Sequence, residues 1–271
     1  MKLKSFFGRV GGKRLLAERI YKYFPKDYDI YIEPFIGAGS LYLKVPINKV
    51  RIINDLDADI YNLWNDLDNM TIEDIDSINV DKYQAEFSPE EKTDFGVPSK
   101  SRELFDYYLN VKNYRLRKQR FIRNMYLSKF SFGSNRRSYA KPVKYRNVKL
   151  LDKKLLIEIK KNLEDTIILN KDYKQVIKKY DNINSLIYLD PPYELTKDYT
   201  HKDIEKNDLL KTLLNIKGKF IMSYNYSTDN VDLFSKYFNV VVLDDVLYSR
   251  ENRSGKSKEE RTTKEILVMN Y

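Results

Sequence analysis

Apolar residues recur at helical spacing over residues 12–24, where Leu15, Leu16, Ile20, Tyr23 and Phe24 share one side, so the segment reads as an amphipathic helix. The pattern then shifts to short apolar runs. Residues 29–35 (DIYIEPF) read as a strand that enters a glycine-bearing turn, 36–40, with a short helical stretch over 41–45. Residues 50–53 give a second strand pattern, closed by Asn54-Asp55, and the helix after it carries Ile60, Leu63, Trp64 and Leu67. Strands alternating with helices predict parallel pairing through crossover helices.

Further on, residues 102–127 read as mainly helical, and 128–149 as an exposed hairpin or loop turning at Gly133, Ser134 and Asn135. Strand patterns return at Thr166–Leu169, Ser185–Leu189 and 219–222, with helices expected over 207–216 and 231–238. Residues 239–243 and 265–270 suit a final antiparallel pair, joined by the polar, partly basic loop 249–263. The chain thus divides into a sheet domain, 1–69 and 166–271, interrupted by an insertion, 70–165.

Charge sharpens that division. Residues 51–100 hold thirteen acids and four bases, a net of −9. Residues 101–150 then hold fourteen Lys and Arg against two acids, a net of +12. The whole chain carries +10, so everything outside 101–150 sums to −2. One strongly basic stretch on a near-neutral protein is the electrostatic footprint of a polyanionic partner, nucleic acid first.

Composition narrows the chemistry. The 271 residues include no Cys and one His, His201. Disulfides, thiolate nucleophiles and thiolate metal sites are excluded, and a histidine triad or a multi-histidine zinc site has no residues to build it. His201 reads as a surface residue. No metal is expected. No apolar run approaches the ~18–20 residues of a membrane span, and the first residues lack a signal-peptide core. The expectation is an intracellular, cytoplasmic protein without a membrane partner, monomeric in solution.

Two motifs stand at strand ends. Gly37 and Gly39 end the first parallel strand, where glycine lets the backbone approach a ligand. Asp55 lies about 20 residues beyond, a spacing at which an acid can accept from ribose hydroxyls. The same residues also suit a plain tight turn with a helix-capping acid. Asp190-Pro191-Pro192-Tyr193 follows a buried strand pattern, Leu186-Ile187-Tyr188-Leu189. Neither proline has an N–H, so the exit is stiff and extends no ladder or helix. It points the Asp190 carboxylate and the Pro191 carbonyl outward as acceptors, beside the flat Tyr193 ring. Two acceptors and an aromatic platform suit the exocyclic amine of a planar base.

These pieces, in this order, resemble the Dam-type family of DNA adenine-N6 methyltransferases, across nearly the whole chain. Gly11-Gly12-Lys13 is similar to that family's N-terminal cofactor motif, Glu33-Pro34-Phe35-Ile36-Gly37-Ala38-Gly39 to its glycine motif, and Asn54-Asp55 to its acidic element. Asn170-Lys171-Asp172-Tyr173 falls where the family has an Asp-aromatic pair near the cofactor adenine. Asp190-Pro191-Pro192-Tyr193 is similar to the catalytic tetrapeptide, and 220–225 and 261–270 match the last strands.

The resemblance implies a Rossmann-like α/β methyltransferase sheet, mostly parallel with the last strand antiparallel. It implies an inserted, mainly helical DNA-recognition domain carrying a basic hairpin. Its implied cofactor is S-adenosyl-L-methionine, held by Arg9, Lys13, Glu33, Phe35, Gly37, Gly39, Asp55, Asp172, Tyr173 and Asp190. Arg9 stands where the family usually has an aromatic contact, with Phe6 or Phe7 close by to replace it. Asp190, Pro191, Pro192 and Tyr193 are the implied catalytic residues, acting on an adenine flipped out of duplex DNA. In the insertion the reading residues do not transfer. Lys129, Arg136, Arg137, Tyr139 and Lys141 are the expected DNA contacts, and the loop 250–264 a further phosphate contact. A cognate restriction endonuclease is a compatible partner. Cytosine-N4 methylation, adenine methylation in RNA and an inactive DNA-binding relative remain as alternatives.

Overall fold

The structure, a computed structural model, describes residues 3–9, 12–79, 99–111, 114–131, 134–140, 150–192, 204–247 and 262–271. It contains two compact units: residues 13–61 with 165–271, and residues 3–12 with 62–164.

The first is a sheet unit. Its strands are β1 (Ile30–Glu33), β2 (Val50–Asn54), β3 (Thr166–Leu169), β4 (Ser185–Leu189), β5 (Lys219–Asn225), β6 (Asn239–Leu247) and β7 (Thr262–Met269). Their order is β3-β2-β1-β4-β5-β7-β6. All neighbours pair in parallel except at β7, which runs antiparallel to both β5 and β6. This is the mostly parallel α/β sheet with a reversed last strand that the sequence pattern predicts. Strand β5 continues through Ser223-Tyr224-Asn225, three residues beyond the expected end. The helix expected over 12–24 is shorter, α1 (Ala17–Tyr21), so Lys13 precedes it. The stretch 41–45 contains one tight 3-10 turn, Tyr42–Lys44.

Alternation along the strands separates two faces. Ile32, Ile187, Leu189, Phe220, Met222, Ile266 and Val268 join one buried cluster. That cluster includes Tyr173, Val176 and Ile177 of α7 (Tyr173–Tyr180) and Leu209 and Leu213 of α8 (Lys206–Leu214). Phe234 of α9 (Thr228–Phe234) completes it. Tyr31, Glu33, Tyr188, Ser223 and Glu265 therefore point to the other face. Phe24, just past α1, packs there against Tyr31 (5.9 Å) and Tyr188 (6.4 Å). The second face is thus polar toward the carboxyl ends of the strands, unlike the apolar one.

The helix α2 (Ala58–Asn69) begins in the sheet unit, and its residues from Asn62 onward belong to the helical unit. The helical unit also holds α3 (Ile72–Asp76), α4 (Ser99–Asn110), α5 (Arg117–Phe130) and α6 (Lys153–Leu163). Thr71 and Asp74 close a reciprocal capping box on α3, and Asp152 caps α6. Phe6 packs on Trp64 (5.0 Å) and Phe121 (6.1 Å), with Phe7 against Phe6 (4.8 Å). Both phenylalanines are therefore core residues of this unit. From Phe121 to Phe130, Lys129 alone is exposed, so α5 is the unit's central helix.

Candidate active site at the carboxyl edge of the sheet

The described site residues collect where β1, β2, β3 and β4 end and β7 begins. Asn54 stitches three of these ends together. Its amide donates to the carbonyls of Pro34 and Lys171 (2.9 Å each) and its oxygen accepts from Lys171 N–H (2.8 Å). Asn170 donates to the carbonyls of Asp55 (2.7 Å) and Leu56 (3.1 Å). A buried backbone group needs a partner, and these two asparagines supply it where the ladders stop.

Gly37 and Gly39 take φ of 48° and 68°, left-handed backbone that side-chain-bearing residues avoid. The Asp55 carboxylate holds this turn, accepting from Gly37 N–H (3.0 Å) and from Asp57 N–H (3.0 Å). Asp57, not Asp55, accepts from Asp59 N–H at the start of α2. Asp172 caps α7 through Lys174 N–H (2.9 Å), and Phe35 packs on Tyr173 with ring centroids 5.2 Å apart.

On the polar face, Lys13 Nζ lies 2.7 Å from Asp190 Oδ1 and 3.1 Å from Glu265 Oε1. Lys13 and Glu265 are buried, while the Asp190 side chain keeps about a fifth of its surface exposed, at 21%. Glu33 is also buried and accepts from Tyr31 Oη (2.7 Å). Burial pushes its carboxyl well above the usual range, and the charges of Asp190 and Asp55 push the same way against the Tyr31 hydrogen bond. Tyr188 donates to or accepts from Ser223 (3.0 Å), and burial holds its hydroxyl protonated far above the ordinary tyrosine value.

The expected residues Lys13, Glu33, Asp55, Gly37, Gly39 and Asp190 thus share one sheet edge, with Phe35, Asp172 and Tyr173 on the neighbouring turn and helix. Asn54 and Asn170 stood within quoted motifs without a role of their own, and Glu265 was not singled out from sequence. For Glu265 a signal existed: an acid that directly opens the apolar run Ile266-Leu267-Val268-Met269. Pro191 is buried and Pro192 half-buried; Tyr193, His201, Gly11 and Lys141 lie outside the described residues.

In the helical unit, Arg9 is half-buried and its carbonyl accepts Gly12 N–H (3.2 Å). Ser131 and Tyr139 form an antiparallel bridge. Within it Arg136 adopts φ 58° and its N–H donates to Ser131 Oγ (2.8 Å), while Asn135 Oδ1 accepts from Arg137 N–H (2.9 Å) and Ser138 N–H (3.1 Å). Lys129 and Arg137 are exposed; Tyr139 is half-buried against Phe105 (5.5 Å). Part of the basic stretch serves its own unit. Arg120 pairs with buried Asp66, Arg102 with Asp106, and Arg123 donates to the Tyr108 and Val111 carbonyls at the end of α4.

The family model for D12 class N6 adenine-specific DNA methyltransferases matches residues 10–252. The chain belongs to that family. It is an N6-adenine DNA methyltransferase. A Type II methyltransferase of Methanocaldococcus jannaschii is 28% identical over the full length of both chains. A Type II methyltransferase of Lactococcus lactis subsp. cremoris is 25% identical over 99% of this chain and 96% of its own. A DNA adenine methylase of Haemophilus influenzae is 25% identical over 71% of this chain and 65% of its own. Among the described residues no helix is long and apolar enough to cross a membrane.

Proposed function

We propose that the carboxyl edge of the sheet unit binds S-adenosyl-L-methionine and transfers its methyl to the N6 amine of an adenine flipped from duplex DNA, at a sequence selected by the helical unit. The observation that carries this is Asp190, held by Lys13 at the end of a fully buried strand and followed by two prolines.

The donor set fits that cofactor. Glu33, Asp55 and Asp190 gather carboxyl groups beside a turn whose two glycines leave its backbone open to approach. A ligand carrying sulfonium and ammonium charges would favour the Glu33 carboxylate, against the burial that raises its pKa. Lys13, Glu33, Phe35, Gly37, Gly39, Asp55, Asp172, Tyr173 and Asp190 would hold the group, and Arg9 is the further residue of the cofactor set. When bound, it supplies an electrophilic methyl.

The chain's own residues prepare the amine. Its lone pair is delocalised into the adenine ring. Asp190 and the Pro191 carbonyl accept its two N–H bonds, which favours a more tetrahedral nitrogen with its lone pair directed at the methyl. Tyr193 stacks on the base, fixing its plane. The prolines keep both acceptors rigid, so alignment and fixed dipoles rather than a covalent adduct lower the barrier. Lys129, Arg136, Arg137, Tyr139 and Lys141, with the loop 250–264, contact DNA; the protein acts as a monomer inside the cell. The two Type II relatives favour a paired restriction endonuclease.

Asp190→Ala tests the reading. Turnover on DNA free of adenine methylation should fall by roughly a thousandfold or more, with cofactor binding still measurable by calorimetry. Turnover within twofold of wild type would refute it.

A further inference from the structure

A carboxylate fully buried in a central strand is costly, and an apolar residue of similar volume would commonly be at least as stable there. Glu265 is such a group. Its neighbours in β7, Ile266, Leu267 and Val268, are all buried and apolar. Its place follows from topology. Because β7 runs opposite to β5, its early residues lie at the carboxyl edge, and Glu265 pairs in register with Asn225, the last residue of β5. Its alternation puts it on the polar face, where it meets Lys13 Nζ at 3.1 Å.

We propose that Glu265 is a positioning residue for methyl transfer, acting through Lys13. This rests on the reading of Asp190 given above. A lysine side chain is long and flexible, and its ammonium is a point charge with three donors. With one carboxylate to bind it would settle on Asp190 and neutralise it. That would weaken the acceptor on which the adenine amine depends. Glu265 draws the ammonium to a second anion, so that Lys13 is shared between Asp190 Oδ1 at 2.7 Å and Glu265 Oε1 at 3.1 Å. The three groups together carry a net charge of −1, which leaves Asp190 electron-rich while its orientation stays fixed.

The test is Glu265→Gln, which keeps shape and a hydrogen-bond acceptor but removes the charge. The kcat for methyl transfer to unmethylated DNA of mixed sequence should fall at least ~10-fold. The KM values for S-adenosyl-L-methionine and DNA should stay within about threefold and the melting temperature should hold. Glu265→Asp, which restores the charge, should bring kcat back to within about threefold of wild type. A structural role would instead lower the melting temperature of Glu265→Gln along with its kcat. A kcat for Glu265→Gln within twofold of wild type would overturn the inference. If Glu265→Gln does not fold, Glu265→Asp decides. It keeps the charge and should retain kcat within about threefold, and a folded Glu265→Asp slowed more than ~10-fold would overturn the inference. Loss of activity in Asp190→Ala with none in Glu265→Gln would remove this inference and leave the proposed function standing, whereas activity in Asp190→Ala would remove both.

Discussion

The two units use charge in opposite ways. In the sheet unit a few ionisable groups are buried at strand ends, each with named partners: Lys13 between Asp190 and Glu265, Asp55 on the glycine turn, Glu33 on Tyr31. In the helical unit cations are numerous, and several hold the unit itself together, such as Arg120 on Asp66 and Arg123 on the end of α4. A net charge therefore overstates what the helical unit can offer DNA, while a neutral total conceals the concentrated charge of the sheet edge.

The largest effect is expected at Lys13. Lys13→Met leaves Asp190 and Glu265 as two carboxylates without their cation in a buried site, and should cost about 3–5 kcal/mol of stability. Urea unfolding measures it, and a loss under about 1 kcal/mol, the range of an exposed pair, would mean that the triad is not held as a buried unit. Gly39→Ala forces a Cβ into left-handed backbone, for about 1–2 kcal/mol and weaker cofactor binding by calorimetry. Unchanged affinity would detach the turn from the pocket.

Effects in the helical unit should be graded. Arg136→Gln with Arg137→Gln should weaken DNA binding and flatten the dependence of log affinity on log salt by about 0.9 for each phosphate no longer neutralised. The kcat at saturating DNA should stay within twofold. An unchanged slope would place this pair away from phosphate.

The smallest effect is a pH dependence. Because burial raises the Glu33 pKa on folding, the folded state keeps a proton that the unfolded state releases above the ordinary glutamate range. Stability from this group is fully present below the unfolded value and declines as pH rises toward the folded one. Glu33→Gln should remove that decline, so melting temperatures of variant and wild type should diverge in the variant's favour as pH rises from about 4.5. Parallel curves would mean that Glu33 folds ionised.

The sheet was legible because parallel strands buried on both faces leave continuous apolar runs, and a polar residue ending such a run marks the edge where ligands bind. Asp55 and Asp190 stood out for that reason, and Glu33 only through the resemblance of its glycine motif. Glu265 did not, because it precedes the apolar run of a descending strand and reads as the border of a loop until the reversal of β7 is known. The helix α6 carried its own signals, Asp152 as cap and Leu155, Leu156, Ile159 and Leu163 on one side, yet a basic surrounding sequence hid them. The roles of Arg120 and Arg123 could not be read at all. Their partners, Asp66 and the carbonyls ending α4, are set by packing rather than by spacing.

If the edge carrying Asp190 methylates adenine at N6, the modified base must appear in cellular DNA and depend on that carboxylate. The direct measurement is mass spectrometry of nucleosides from DNA of a host lacking adenine methylation, expressing either wild type or Asp190→Asn. N6-methyladenine should be present with the wild type and not above background with Asp190→Asn. N4-methylcytosine from the wild type, or N6-methyladenine at wild-type level from Asp190→Asn, would contradict it.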